Sequence, residues 1–223
     1  MIITLDGPAG SGKSTLAKAL AAKLGIEYID SGALYRSLTF YGLQRYGSLK
    51  DHETQIAEFF RLHPEALNIQ FEQHHQKVRL NDQELTTQLR DPYLTTQILY
   101  IASNPDCRKV VNQMIRNLAH EYSVVIDGRD IGSVVFPESK NKFYLDAATK
   151  TRALRRASEQ GTATSGPEFE QLVQQITDRD HSDMNRSIAP LQIPTDAVCI
   201  NTNDLSIEQV LEIICSQLTF ETP

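Results

Sequence analysis

The chain has 223 residues, 40% hydrophobic and 22% charged, the balance of a soluble globular protein long enough for one substantial α/β domain. Its formal charge of −6 argues against nucleic acid as a partner, because domains that bind it are usually basic. No apolar run reaches the roughly 18 residues that cross a bilayer, and "MIITLDGPAGSGK" carries no signal-type leader, so the expected compartment is the cytoplasm, with no membrane partner.

Residues 2–6, "IITLD", form a short β-type run, and "STLAKALAAKLG" after it has helical composition with Gly25 as a stop. "IEYID" (26–30) reads as a second strand, and "GALYRSLTFYGLQRYG" (32–47) as a helix closed by Gly47. The middle alternates apolar and polar residues at 66–73 and 76–85, with turn chemistry at Asn81-Asp82 and His74-His75 in a hairpin turn, so about 60–90 is expected to be a small β-rich insert. A helical region follows from about Thr95 to Glu121, broken near Pro105. "SVVIDG" (123–128) and "NKFYLDA" (141–147) are buried-strand candidates. Next come a helix at 149–160, a small-residue loop at 161–168 able to hinge, and a helix at 169–186. A strand at 196–202 and a helix at 206–218, capped by Ser206, complete the order. Strands alternating with helices predict an α/β fold, a parallel sheet with helices on both faces. There is no internal repeat. Cys107, Cys199 and Cys215 are too widely spaced for a zinc site or a disulfide framework, and the six histidines show no ligand spacing.

Chemistry concentrates first in residues 7–15: Gly7, Pro8, Ala9, Gly10, Ser11, Gly12, Lys13, Ser14 and Thr15. The spacing G-x-x-x-x-G-K-S between a strand and a helix is that of a P-loop. Its glycines let backbone N–H groups wrap phosphates, and the helix dipole favours the same charge. Lys13 would reach the β- and γ-phosphates and act in catalysis, while the Ser14 hydroxyl would ligate Mg²⁺ together with ATP phosphates and water. This says nucleoside triphosphate, and leaves the acceptor open.

Three further stretches bear on the acceptor. In "DSGALYR" (30–36), Ser31 and Arg36 could hold an anion, since arginine offers a planar fork of donors. "IDGRDIGSVVFP" (126–137) sets Arg129 between Asp127 and Asp130 directly after a strand, the edge where α/β proteins bind ligands. "RDHSDMNR" (179–186) places Arg179, Asp183 and Arg186 on one face if it is helical. The bland alternatives are a solvated Arg36 and an intrahelical salt-bridge ladder at 179–186. Together with the P-loop, the three stretches suggest a second anion site.

"GPAGSGKST", "DSGALYR", "IDGRDIGSVVFP", "TRALRR" and "RDHSDMNRSIAPL" occur in the order and spacing of the bacterial cytidylate kinases, a family of nucleoside monophosphate kinases, and the chain resembles that family from residue 2 to about 215. The resemblance implies phosphoryl transfer from ATP to CMP or dCMP with Mg²⁺, in pyrimidine nucleotide metabolism, by a monomer. It implies one domain over 1–223, with a core at 1–60 and 91–223, a CMP-binding insert at about 60–90 and a helical lid at about 149–168. By similarity, Ser31, Arg36, Arg129 and Arg186 would hold the CMP phosphate, and Asp130 and Arg108 the cytosine edge. Arg179 and Asp183 would reach the ribose and bound phosphates, and the lid arginines Arg152, Arg155 and Arg156 would close over the transferring group. Two positions depart from the family pattern. Leu99 stands where a base-contacting serine is usual, which is expected to narrow the preference for CMP over UMP, and Thr151 replaces an acidic residue.

Catalysis in such a site is alignment and charge neutralisation, and no general base is assigned because the acceptor oxygen is already anionic. Asp127 is expected to support Mg²⁺ or Arg129 rather than to react. The rival readings are another small-molecule kinase, such as a UMP or shikimate kinase, and a P-loop switch that binds a protein partner.

Overall fold

In the computed structural model, residues 1–220 are described. The elements in chain order are β1 (Ile2–Asp6), α1 (Lys13–Leu24), β2 (Glu27–Asp30), α2 (Ser31–Tyr46), α3 (Glu53–Leu62), β3 (Leu67–Glu72), β4 (His75–Leu80) and β5 (Gln83–Glu84). After these come α4 (Pro92–Ser103), α5 (Pro105–Glu121), β6 (Val124–Gly128), β7 (Asn141–Asp146), α6 (Thr149–Gln160), α7 (Pro167–Asn185), β8 (Val198–Asn201) and α8 (Ile207–Gln217). The chain divides into two units: Met1–Leu20 with the chain from Val125 onward, and Ala21–Val124.

In the first unit, strands lie in the order β6-β1-β7-β8. β1 runs parallel to β7, Ile3 opposite Asn141 through Asp6 opposite Tyr144, and β7 runs parallel to β8. Ile3 and Leu5 are fully buried, and so are Thr4 and Asp6 on the opposite side of the strand. That two-sided burial marks an interior strand of a parallel sheet. A π-helical turn, Ile131–Val135, follows β6. Helix α6 ends at Gly161 in left-handed conformation, and α7 opens on Pro167, whose missing N–H costs nothing at a first helical position. Ser206 and Gln209 form a capping box at α8. Ala153 and Ala157 of α6 pack with Phe169 and Ile176 of α7 as a separate small core.

The second unit starts α2 at Asp30, whose carboxylate accepts from the Ala33 N–H at 2.9 Å, and ends it at Gly47, φ 73°. Tyr41 of α2 stacks on Phe59 of α3 with ring centroids 4.2 Å apart. β3, β4 and β5 form an antiparallel sheet, with Asn81 (φ 51°) turning the chain between β4 and β5. The β3–β4 turn falls on Gln73 and His74, both left-handed, and His75 already begins β4. The expected helical region near Pro105 is two helices: Asn104 ends α4, and its side chain accepts from the N–H groups of Asp106 and Cys107 to start α5.

Two features differ from the sequence reading. Helix α3 was not anticipated, because its N-terminal residue, His52, provides no side-chain cap. The β-rich segment expected at about 60–90 holds β3, β4 and β5, but it is part of a larger compact unit. β4 packs on β2, and α2 on α3, α4 and α5, so the unit extends over Ala21–Val124.

Candidate active site

The loop after β1 bends around Lys13. Gly7 has φ 146°, and a Cβ there would collide with the carbonyl oxygen of Leu145, so only glycine lets the loop leave the strand in this direction. The Lys13 side chain is buried and its Nζ donates to the carbonyl of Pro8 at 2.7 Å and to Ser11 Oγ at 3.2 Å. Burial, and then the neighbouring Arg129 charge, pull the Lys13 ammonium well below its usual range, against the pull of Asp127, Asp6 and Asp183. An entering polyphosphate would favour its charged form.

Ser14 Oγ donates to Asp127 Oδ2 at 2.9 Å. A hydroxyl backed by a carboxylate suits Mg²⁺, a hard cation usually held by one or two protein oxygens plus phosphates and water. Among the described residues, no group of three or more His, Cys, Asp or Glu could hold a metal by itself.

The cradle has a strut that the sequence did not reveal. Asp180 Oδ1 accepts from the Ala9 N–H at 3.3 Å, and Arg152 Nη1 donates to the Ala9 carbonyl at 2.8 Å. Arg152 and Asp180 are themselves paired at 2.6 Å. Arg152 also donates to the Ala147 carbonyl and to Thr149 Oγ1, so the first of the three arginines expected to close over the transferring group is buried and held against the cradle. Arg155 donates to Thr202 Oγ1 at 2.9 Å and to the Thr202 carbonyl, and Arg156 is half-buried. A cavity of 570 Å³ opens beside Gly12 and Thr15, walled by Leu154, Arg155, Leu205 and Ile207.

The two other stretches of this unit meet. Arg129 Nε donates to Asp183 Oδ2 at 2.9 Å, and Arg186 Nη2 to Asp130 Oδ1 at 3.0 Å. Burial works against the Arg129 charge, but Asp183, Asp127 and Asp180 outweigh it and raise its pKa. Asp183 and Arg186 thus pair with the strand-end residues, across the fold. Arg179 and Asp183 lie on α7, whereas Arg186 is the extended residue just past its end (φ −65°, ψ 142°) and leaves the helical face.

The remaining predicted residues belong to the second unit. Ser31, buried, opens α2. Arg36 folds back so that Nη2 meets Asp30 Oδ2 at 2.8 Å, and a Cβ on Gly32 would come within 2.8 Å of its Nη1. Arg108 is buried, donates to the Ala102 carbonyl at 3.1 Å and lies over the Tyr35 ring at 5.5 Å. Leu99 is 40% exposed on α4, where it lines a 510 Å³ surface cavity with Glu53, Thr96, Tyr100 and Asn104.

A glycine-wrapped lysine after a parallel strand, backed by a hydroxyl–carboxylate pair, defines a nucleoside-triphosphate site of the P-loop class. Residues 3–219 match the family described as Cytidylate kinase. The cytidylate kinase of Desulforamulus reducens is 39% identical over 212 residues, 95% of this chain and 94% of that protein. That of Caldanaerobacter subterraneus subsp. tengcongensis is 38% identical over 210 residues, 94% and 91% of the two chains. A solved structure of an uncharacterized protein from Eubacterium ventriosum shares the fold at a TM-score of 0.54 and 14% identity, over 97% of this chain and 96% of that one. The chain belongs to the cytidylate kinase family, and it is a phosphotransferase.

Proposed function

We infer that the protein transfers the γ-phosphoryl group of ATP to CMP or dCMP, giving ADP and CDP or dCDP, and so serves pyrimidine nucleotide metabolism. The observation that carries this reading is the partly buried pairing of Arg129 with Asp183 and of Arg186 with Asp130, in the same unit as the cradle. A switch that only hydrolyses its nucleotide has no need of a second set of fixed phosphate-binding cations.

In the reaction a phosphate oxygen of CMP attacks the γ-phosphorus, and the bond from that phosphorus to the β-bridging oxygen breaks to release ADP. Lys13 neutralises oxygens of the donor, and Arg155 and Arg156 those of the group in flight. Arg152 contributes through Ala9, by holding the loop. Mg²⁺, held by Ser14 and supported by Asp127, would supply charge neutralisation on the donor phosphates. The apolar cavity beside Gly12 and Thr15 suits the donor's base. Ser31, Arg36, Arg129 and Arg186 are assigned to the acceptor phosphate, Asp130 and Arg108 to the cytosine edge, and Arg179 and Asp183 to the ribose and bound phosphates. Asp130 can accept from the cytosine amino group, while the UMP carbonyl would face its lone pairs.

An ADP-release assay with ATP–Mg²⁺ and CMP, dCMP, UMP, AMP or GMP tests the assignment. CMP and dCMP should give the highest kcat/KM. ATP turnover that does not depend on the acceptor would overturn it.

A further inference from the structure

Asp6 is the last residue of β1, directly before Gly7 of the cradle, and its side chain is fully buried. Both carboxylate oxygens are engaged by one short segment: Oδ1 accepts from the Ile131 N–H at 2.9 Å and Oδ2 from the Gly132 N–H at 2.6 Å. These two consecutive amides immediately follow Arg129 and Asp130 and open the π-helical turn. We propose that Asp6 is a positioning residue that fixes the turn carrying Arg129 and Asp130 for the acceptor nucleotide, a role that rests on the acceptor assignment above.

The division of labour is legible in the contacts. Asp183 and Arg186 fix where the Arg129 and Asp130 side chains point, and Asp6 fixes the backbone from which they extend. Gly132 makes the close approach possible, since a Cβ there would lie 2.8 Å from Thr4 Oγ1, 3.1 Å from Pro194 Cγ and 3.2 Å from Asp6 Oδ2. A buried carboxylate is an expensive choice, and an apolar residue could fill the space but could not accept from two successive amides. Burial pushes the Asp6 carboxyl up to about 6, helped by the charge of Asp130 and opposed by the two amides and Lys13; Tyr144 of β7 also faces it. The cradle has its own support at Ala9, so loosening the turn should affect the acceptor more than ATP.

The test measures KM for CMP and for ATP in Asp6→Asn and Gly132→Ala, with the thermal midpoint recorded for each. The asparagine keeps one acceptor and turns an NH₂ group toward the other amide; the alanine keeps the carboxylate and wedges the turn away from it. Each should raise the CMP KM about tenfold, the scale of one lost buried hydrogen bond, with the ATP KM changed by less than about threefold. Parallel rises in both KM values, or a lower midpoint with both unchanged, would mean a purely structural role and overturn the proposal. Arg129→Met is the control. If it leaves the CMP KM unchanged, the acceptor assignment fails and takes the proposal with it; if it raises that KM while both other variants do not, only the role of Asp6 fails. Should Asp6→Asn not fold, Gly132→Ala decides.

Discussion

The two units hold their functional charges in opposite ways. In the first, pairs bridge long stretches of chain: Arg129 to Asp183 over 54 positions, Arg186 to Asp130 over 56, Arg152 to Ala9 over 143. In the second, the hydrogen bonds of Arg36 to Asp30 and of Arg108 to Ala102 span only six positions, with Arg108 also lying over the Tyr35 ring. The first arrangement exists only once the unit has folded, and it preorganises charge where a transferring phosphoryl group develops it. The second travels with its helix ends. Perturbing the first should therefore cost stability along with function, and perturbing the second should cost acceptor binding with little loss of stability.

The hardest blow falls in the cradle itself, where Lys13 bonds to Pro8 and Ser11 close by in the chain. Lys13→Ala should lower kcat by about 10²–10³, the scale of one lost electrostatic donor, with the far-ultraviolet circular dichroism unchanged. Activity within about threefold of the parent protein would contradict the cradle assignment. Asp180→Asn comes next. It leaves Arg152 charged and buried against Ala9, a loss of about 3–5 kcal/mol for a broken buried pair, read by urea unfolding. The ATP KM should rise with it, and unchanged stability would show that the strut does not hold the loop.

Arg36→Met probes the local arrangement. Its pair with Asp30 is partly exposed, 18% and 31%, so the stability change should stay within about 1 kcal/mol. The CMP KM should rise about tenfold to a hundredfold, as for a lost hydrogen bond to a charged group, and the ATP KM should not. Equal rises in both would erase the contrast between the units.

Acid reaches the first unit by another route. The Asp6 carboxyl is raised to about 6 in the folded protein from 3.8, so the folded state binds its proton more readily than the unfolded chain. This group therefore adds stability as pH falls through about 6 toward 3.8, by at most about 3 kcal/mol, and withdraws it as pH rises again. Thermal unfolding of the parent protein and of Asp6→Asn at pH 7 and pH 5 reads this directly: the parent should gain relative to the variant at the lower pH. A difference independent of pH would remove Asp6 as the titrating group.

What was legible in the sequence follows the same division. Residues 7–15 could be read because a phosphate cradle is local chemistry, set by glycine spacing and by the strand and helix beside it. Arg129, Asp130, Asp183 and Arg186 were legible as candidates, but not as partners, since pairing over 54 and 56 positions is a property of the fold. Asp6 and Asp180 lie inside the β1 run and the 179–186 stretch, where nothing marks their roles. Each acts on backbone amides 125, 126 or 171 positions away, and nothing local marks that. Arg152 was legible as an arginine of α6, and its bond to Ala9 was not. Helix α3 was missed for a local reason, an N-terminus without a capping side chain.

The smallest effect is expected at Leu99. The resemblance implies a base-contacting serine at that position, and on that reading Leu99→Ser should widen the preference for CMP over UMP. The surroundings of the side chain point the other way. Ile98, Ile101 and Ala102 form the buried face of α4, while Leu99 is 40% exposed and lines a surface cavity with Glu53, Thr96, Tyr100 and Asn104. None of the acceptor residues assigned above borders that cavity. A hydroxyl at a site open to water exchanges one hydrogen bond for another and gains little, whereas discrimination between bases needs a buried partner that the wrong base leaves unpaired. Leu99→Ser should therefore change the ratio of kcat/KM for CMP over UMP by less than about threefold, under 1 kcal/mol of differential transition-state binding. A rise of tenfold would place residue 99 against the base, and base selection would then rest on α4 as well as on Asp130 and Arg108.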